Sequence, residues 1–150
     1  MEEANKEAIK NEQKKFKNGG PFGAIIVKEN KIIARAHNTV LKQNDPTAHA
    51  EINVIRKACK KLKTHNLSNC TLYTTCYPCP MCLSAIIWAN IQVVYYGNTQ
   101  QDANNIGFKD KKIHDFLTTP AKNNSLKLIN IDRKETIKTF KAFNNNKKLY

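Results

Sequence analysis

A chain of 150 residues, 41% of them hydrophobic, is long enough to bury one core and too short for two domains, so a single domain spanning 1–150 is expected. Its net charge of +13 admits polyanion binding, but the 25 basic residues are 22 Lys and 3 Arg spread from Lys6 to Lys148 in an Asn-rich chain, a bias that accounts for the charge as well as a phosphate-binding patch does. The charged opening from Met1 to Lys10 does not read as a signal peptide, no apolar run approaches a membrane span, and five cysteines, an odd number, fit a reducing, cytoplasmic setting better than a disulfide scaffold.

Along the chain, Glu2 to Lys17 has Ala4, Ala8 and Phe16 spaced for a weakly amphipathic helix, and Asn18-Gly19-Gly20-Pro21 stops it. Ala24 to Val27 and Ile32 to Ala36 are short apolar runs on either side of Lys28-Glu29-Asn30-Lys31, which predicts a hairpin. Asp45-Pro46-Thr47 reads as a helix start, so His49 and Glu51 are expected in the first turn of a helix running to about Leu62. Thr71 to Thr75 is a strand feeding a helix opened by Cys79 and Cys82, where Pro78 and Pro80 suit a first turn and Leu83, Ile86 and Ile87 face a sheet. Val93 to Tyr96 is a further strand, Leu126 to Ile131 a last one, and Thr136 to Asn144 a closing helix. Strands alternating with helices predict an α/β fold around a largely covered sheet.

The chemistry concentrates in two short motifs, His49-Ala50-Glu51 and Pro78-Cys79-Pro80-Met81-Cys82. An imidazole and two thiolates hold a zinc ion by three bonds and leave its fourth position to water, the mark of a catalytic site. Residues three apart share a helix face, so Cys79 and Cys82 can both reach one metal at about 2.3 Å, and helix N-termini favour the thiolate. Glu51, next to a ligand but not itself one, is placed to take a proton from the metal's water and pass it on; H-x-E followed by P-C-x-x-C is the pattern of zinc nucleobase deaminases. A lone Cys-x-x-Cys also suits a structural zinc or a redox pair, but no second pair follows to close such a site. The run Cys76-x-x-Cys79-x-x-Cys82 is like part of an iron–sulfur ligand set, and Ile86 stands where the next ligand belongs. Cys76 is then a thiol at a strand end that is either simply buried or set next to the metal ligands, Cys59 and Cys70 are packing residues, and His37, His65 and His114 lack partners at metal spacing.

Beyond these motifs, Gly20-Pro21-Phe22-Gly23-Ala24, His37-Asn38, Asn44 to Glu51, Asp102 to Asp110 and the ending Lys147-Lys148-Leu149-Tyr150 resemble bacterial guanine deaminases of the cytidine deaminase-like superfamily, over nearly the whole chain. The tRNA adenosine deaminases share the metal motifs but continue with a Gly-rich, Asp-Lys-containing loop that is missing here. The resemblance implies a three-layer α/β/α sandwich with a five-stranded mixed sheet, one zinc per subunit, and deamination of guanine to xanthine and ammonia. It further implies a homodimer in which a segment of about 136–150 crosses to the partner and Tyr150 closes the other pocket. By the same carry-over Asp110 accepts from the donors of guanine and shares a proton transfer, Asn38 donates to a ring acceptor, and Phe22 stacks on the purine. The backbone N–H groups of Ala50 and Cys79 hold the base in register. The family's Glu-Pro-Cys reads Tyr77-Pro78-Cys79 here, a phenol in place of a carboxylate near the metal. Three other readings predict different behaviour: a deaminase of another small nucleobase or nucleoside releases ammonia from that substrate, a tRNA-editing deaminase binds an anticodon loop with a steep salt dependence, and a non-catalytic zinc module unfolds when the metal is removed.

Overall fold

The expected hairpin forms from β1 (Gly23–Lys28) and β2 (Lys31–His37), in antiparallel register from Gly23 opposite His37 to Lys28 opposite Lys31, with a bulge at Ile26/Val27. Glu29 and Asn30 both take positive φ, 48° and 58°, which matches the twist of a two-residue hairpin turn. The computed structural model describes residues 1–119 and 126–146, and its contacts separate two units, 1–114 and 115–150. In the first unit β1 also pairs antiparallel with β3 (Thr71–Cys76), and β3 pairs parallel with β4 (Val93–Asn98), giving the order β2-β1-β3-β4. The sheet is mixed, as expected, but has four strands among the described residues rather than five.

The missing strand is the apolar run after residue 125. Leu126, Leu128, Ile129 and Ile131 are 56–79% exposed and belong to no strand, because an apolar run becomes a strand only when a neighbouring edge takes up its backbone groups. The second unit contains α7 (Arg133–Asn146), which covers the expected closing helix at 136–144. No helix among the described residues is long and apolar enough to cross a membrane.

Helix α3 (Ala50–Leu62) packs by small residues: Ala50, Val54 and Ala58, four apart, are fully buried against Ala24, Ile26 and Leu72 of the sheet. Full burial of Leu72 alone removes enough apolar surface from water to contribute about 1.5–3 kcal/mol. The helix stops at Lys63, in the left-handed conformation with φ 55°. Two residues of its outer side, Lys57 and Lys61, donate from Nζ to the Arg35 and Ile33 carbonyls of edge strand β2, at 2.9 and 3.0 Å.

Helix α1 (Glu2–Gln13) is shorter than expected and buries a different face. Its inward residues are Ala4, Glu7 and Asn11, not Ala4, Ala8 and Phe16; Phe16 follows the helix with φ 56°. α1 lies so close to β1 that a Cβ on Gly23 would stand 2.2 Å from the Ala4 carbonyl oxygen and 2.5 Å from the Ala8 nitrogen, so only glycine fits. Burial pushes the Glu7 carboxyl up, but hydrogen bonds with Lys10 and His37 outweigh it and hold the group below its ordinary value.

Four further helices are α2 (Val40–Gln43), α4 (Pro80–Trp88), α5 (Gln100–Asn105) and α6 (Lys111–Thr118). Polar α5 is fixed by a capping box, in which Thr99 Oγ1 accepts from Asp102 N–H and Asp102 Oδ2 accepts from Thr99 N–H.

Candidate active site

Two helix starts meet at the site. His49 is the N-cap of α3 and Cys79 the N-cap of α4, both extended, with φ/ψ of −68°/159° and −64°/166°. In each the backbone carbonyl takes the first helical bond, from Asn53 and Leu83 at 2.9 Å, while the side chain makes no cap. N-cap positions usually favour short polar side chains that bond back to the helix; here the side chains are turned to one another instead. His49 therefore precedes the first turn, and Asp45-Pro46-Thr47 precedes the helix altogether. Asp45 Oδ1 accepts from Thr47 N–H and Oγ1 at 2.8 and 2.7 Å, a local turn that delivers His49 to the cap.

His49 Nδ1 is 3.6 Å from both Cys79 Sγ and Cys82 Sγ, and the three donor atoms lie within 4.8 Å of one another. A tetrahedral zinc with bonds of about 2.05 Å to nitrogen and 2.3 Å to sulfur sets its N and S ligands about 3.6 Å apart. The donor set and its spacing fit zinc. The Cys82 thiol donates to Cys79 and His49 adds positive charge, so the Cys79 thiolate is brought down to about 4 while Cys82 is pushed up. That thiolate in turn raises His49. Of the two thiols Cys79 is therefore the more readily ionised, with Cys82 fully buried beside it.

Glu51, the second residue of α3, is 5% exposed. Its Oε1 accepts from Thr74 Oγ1 at 2.8 Å and its Oε2 lies 3.6 Å from Cys82 Sγ. Burial pushes its carboxyl up, which strengthens it as a proton acceptor. Glu51 and His49 line a small cavity with Asn38, Phe22, Asp110 and Phe108. Asp110 is half-buried and its carboxyl is raised by burial, then by the Cys79 thiolate. Phe22 lines the cavity but also packs edge-on against Phe108, with ring centroids 4.8 Å apart. Asn38 is buried, its Oδ1 accepting from Val40 N–H, and Gly19 passes so near that a Cβ there would stand 2.1 Å from that oxygen. Ala50 is the first residue of α3 and is buried. Tyr150 lies outside the described residues.

Cys76, buried, lines the cavity beside Cys79, and two lining residues were not anticipated, Phe108 and Ala103; Tyr77 beside them packs edge-on against Tyr96. The Thr99-x-x-Asp102 capping signature announced the helix that carries Ala103, whereas nothing local in the sequence marks Phe108. Next to the cavity, and sharing Asn38, His49 and Phe108 with it, runs a groove of about 520 Å³. Among the described residues that line it, Asn38 and His49 are the only polar side chains, and none is Lys, Arg, Asp or Glu.

Residues 1–98 match the family described as cytidine and deoxycytidylate deaminase zinc-binding region. The guanine deaminase of Bacillus subtilis (strain 168) is 47% identical over 134 residues, 88% of this chain and 86% of that protein. The tRNA-specific adenosine deaminase of Buchnera aphidicola subsp. Schizaphis graminum is 40% identical over 132 residues, 85% of this chain and 82% of that one. The X-ray structure of the Bacillus subtilis guanine deaminase matches with a TM-score of 0.92 at 43% identity, over 99% of this chain and 95% of that chain.

Proposed function

The chain belongs to the cytidine and deoxycytidylate deaminase zinc-binding family, and on that premise we propose that it deaminates guanine hydrolytically to xanthine and ammonia. The observation that carries the reading is a three-donor metal site with a buried, unliganded Glu51, approached through a groove without charge. One zinc per subunit, held by His49, Cys79 and Cys82, supplies Lewis-acid activation of a water when bound. Glu51 accepts the proton of that water as oxygen bonds to C2 of guanine, and delivers it to N3. It then carries the proton of the new hydroxyl to the exocyclic amine, the C2–N bond breaks, and ammonia leaves.

Asn38, its Oδ1 already committed to Val40, offers its NH2 to a ring acceptor. Asp110 accepts from the N1–H and amine side of the base and shares the second transfer. Phe22 covers the ring, and the N–H groups of Ala50 and Cys79, at two helix starts, hold the base in register. Thr74 fixes the Glu51 carboxylate, so Thr74→Val is expected to lower kcat about tenfold with KM within a factor of two, measured by steady-state ammonia release.

The reading extends to the whole molecule: a single deaminase domain of 1–150 acting as a homodimer, with the segment of about 136–150 handed to the partner and Tyr150 over the partner's cleft. Two observations support it. Leu126, Leu128, Ile129 and Ile131 are exposed in a run that belongs to no strand, and β4 is an edge among the described strands with Val93 and Tyr95 uncovered. Pairing of that run with a partner's β4 completes the five-stranded, three-layer arrangement. A role in purine metabolism and a cytoplasmic site accord with the five free thiols.

The Buchnera relative favours a second reading, editing of a tRNA adenosine. Among its described lining residues the groove offers no lysine or arginine to phosphates, which favours a free base. The deciding experiment offers the zinc-loaded protein guanine, guanosine, cytidine, adenosine and a tRNA anticodon stem-loop in parallel. Ammonia from guanine, insensitive to salt, supports the proposal; ammonia from the stem-loop alone overturns it.

A further inference from the structure

The inward face of α1 poses a question the reaction does not answer. A helix packed on a sheet ordinarily buries apolar side chains, yet α1 buries Glu7 and Asn11, 4% and 0% exposed, at positions four apart. Both end on the same short segment where β2 runs out. Glu7 Oε2 lies 3.3 Å from the His37 ring, and Asn11 Nδ2 donates to the Asn38 carbonyl at 2.8 Å. The same Asn11 nitrogen donates a second bond, also 2.8 Å, to the carbonyl of Gly20. This orientation leaves Asn11 Oδ1 buried without a partner, and turning the amide over would forfeit both donated bonds and aim that oxygen at two carbonyls. The two carbonyls therefore dictate the orientation, since only the NH2 end can join two acceptors.

From the other side, Asn53 Nδ2 donates to the His37 carbonyl at 3.1 Å and to Thr39 Oγ1 at 2.8 Å, so residues 37–39 are gripped by one amide from α1 and another from α3. Between the grips stands Asn38, whose side chain lines the cavity. Gly19 and Gly20, in the loop that Asn11 ties to it, line the adjoining groove.

We infer that Asn11 is a positioning residue for substrate binding: its amide ties the Gly19-Gly20 loop to the end of β2 and so fixes the direction in which Asn38 meets the base. The inference rests on the guanine reading for its kinetics and on geometry alone for its mechanics. It predicts an effect on KM transmitted through Asn38, whereas a residue that only supports folding would lower the melting temperature and leave KM unchanged in the folded enzyme.

The test is a double-mutant cycle of Asn11→Leu and Asn38→Ala, assayed on guanine well below the melting temperature of every variant, with zinc content measured alongside. Asn11→Leu is expected to raise KM about tenfold, to change kcat less than threefold and to keep its zinc; the double variant is expected to be no worse than Asn38→Ala alone. An unchanged KM, or effects that multiply in the double variant, would overturn the inference. Should Asn11→Leu fail to fold, Asn11→Ser keeps one donor and gives the same comparison with a smaller effect. Wild-type protein inactive on guanine would sink the function and not the mount. The mount is then read by NMR of the side-chain amides, where Asn11→Leu must shift the Asn38 resonances and unshifted resonances refute it.

Discussion

Glu51→Gln is expected to bind zinc as fully as wild type, to melt within a few degrees of it, and to deaminate guanine at least 10³-fold more slowly, an order of magnitude consistent with losing both proton transfers. The expectation follows from where the carboxyl sits. Glu51 is buried beside the metal donors without being one of them, and burial pushes its proton affinity up. Glutamine preserves volume and still accepts from Thr74, so packing and the contact at 2.8 Å survive. What it lacks is an oxygen able to take a proton. Rate and zinc content measured on one preparation decide the matter: turnover within tenfold of wild type, with zinc bound, would remove Glu51 from its role.

The second large effect belongs to Cys82. Cys82→Ser, nearly isosteric, is expected to lower zinc content more than tenfold and to abolish detectable turnover, because a hydroxyl does not become an anion near neutrality as a thiol does beside a metal. Cys82 is fully buried, so the substitution also exchanges a soft, apolar atom for a polar one with no assured partner. Metal loss and packing loss separate under a chelator. Wild type, treated with the chelator, is expected to melt lower by several degrees, while the serine variant, already without metal, should not move. A variant that keeps one zinc per chain would show that the third ligand comes from elsewhere.

Much of this site is legible in the sequence because its parts are local. His49 and Glu51 are two residues apart, Cys79 and Cys82 three, and the proline at position 80 marks the helix start that aims them. The hairpin is equally local, its turn fixed by Glu29 and Asn30. The exceptions are long-range. Reading α1 by its apolar residues selected Ala8 and Phe16, whereas the buried positions are polar Glu7 and Asn11, matched by partners 30 and 27 residues away. Leu126 to Ile131 has the composition of a strand, but composition does not supply the adjoining edge, and the run stays exposed. Phe108 reaches the cavity only because a capping box folds the chain after β4 back toward Phe22.

The two ammonium groups of Lys57 and Lys61 on the outer strand have an effect on how copies of the chain add together. With the carbonyls at 33 and 35 taken, that border of the sheet has two acceptors fewer to offer a stranger, while the opposite border among the described strands is β4. Backbone pairing with another copy is thereby disfavoured at β2, and among the described strands the border left to it is β4, where valine and tyrosine are exposed.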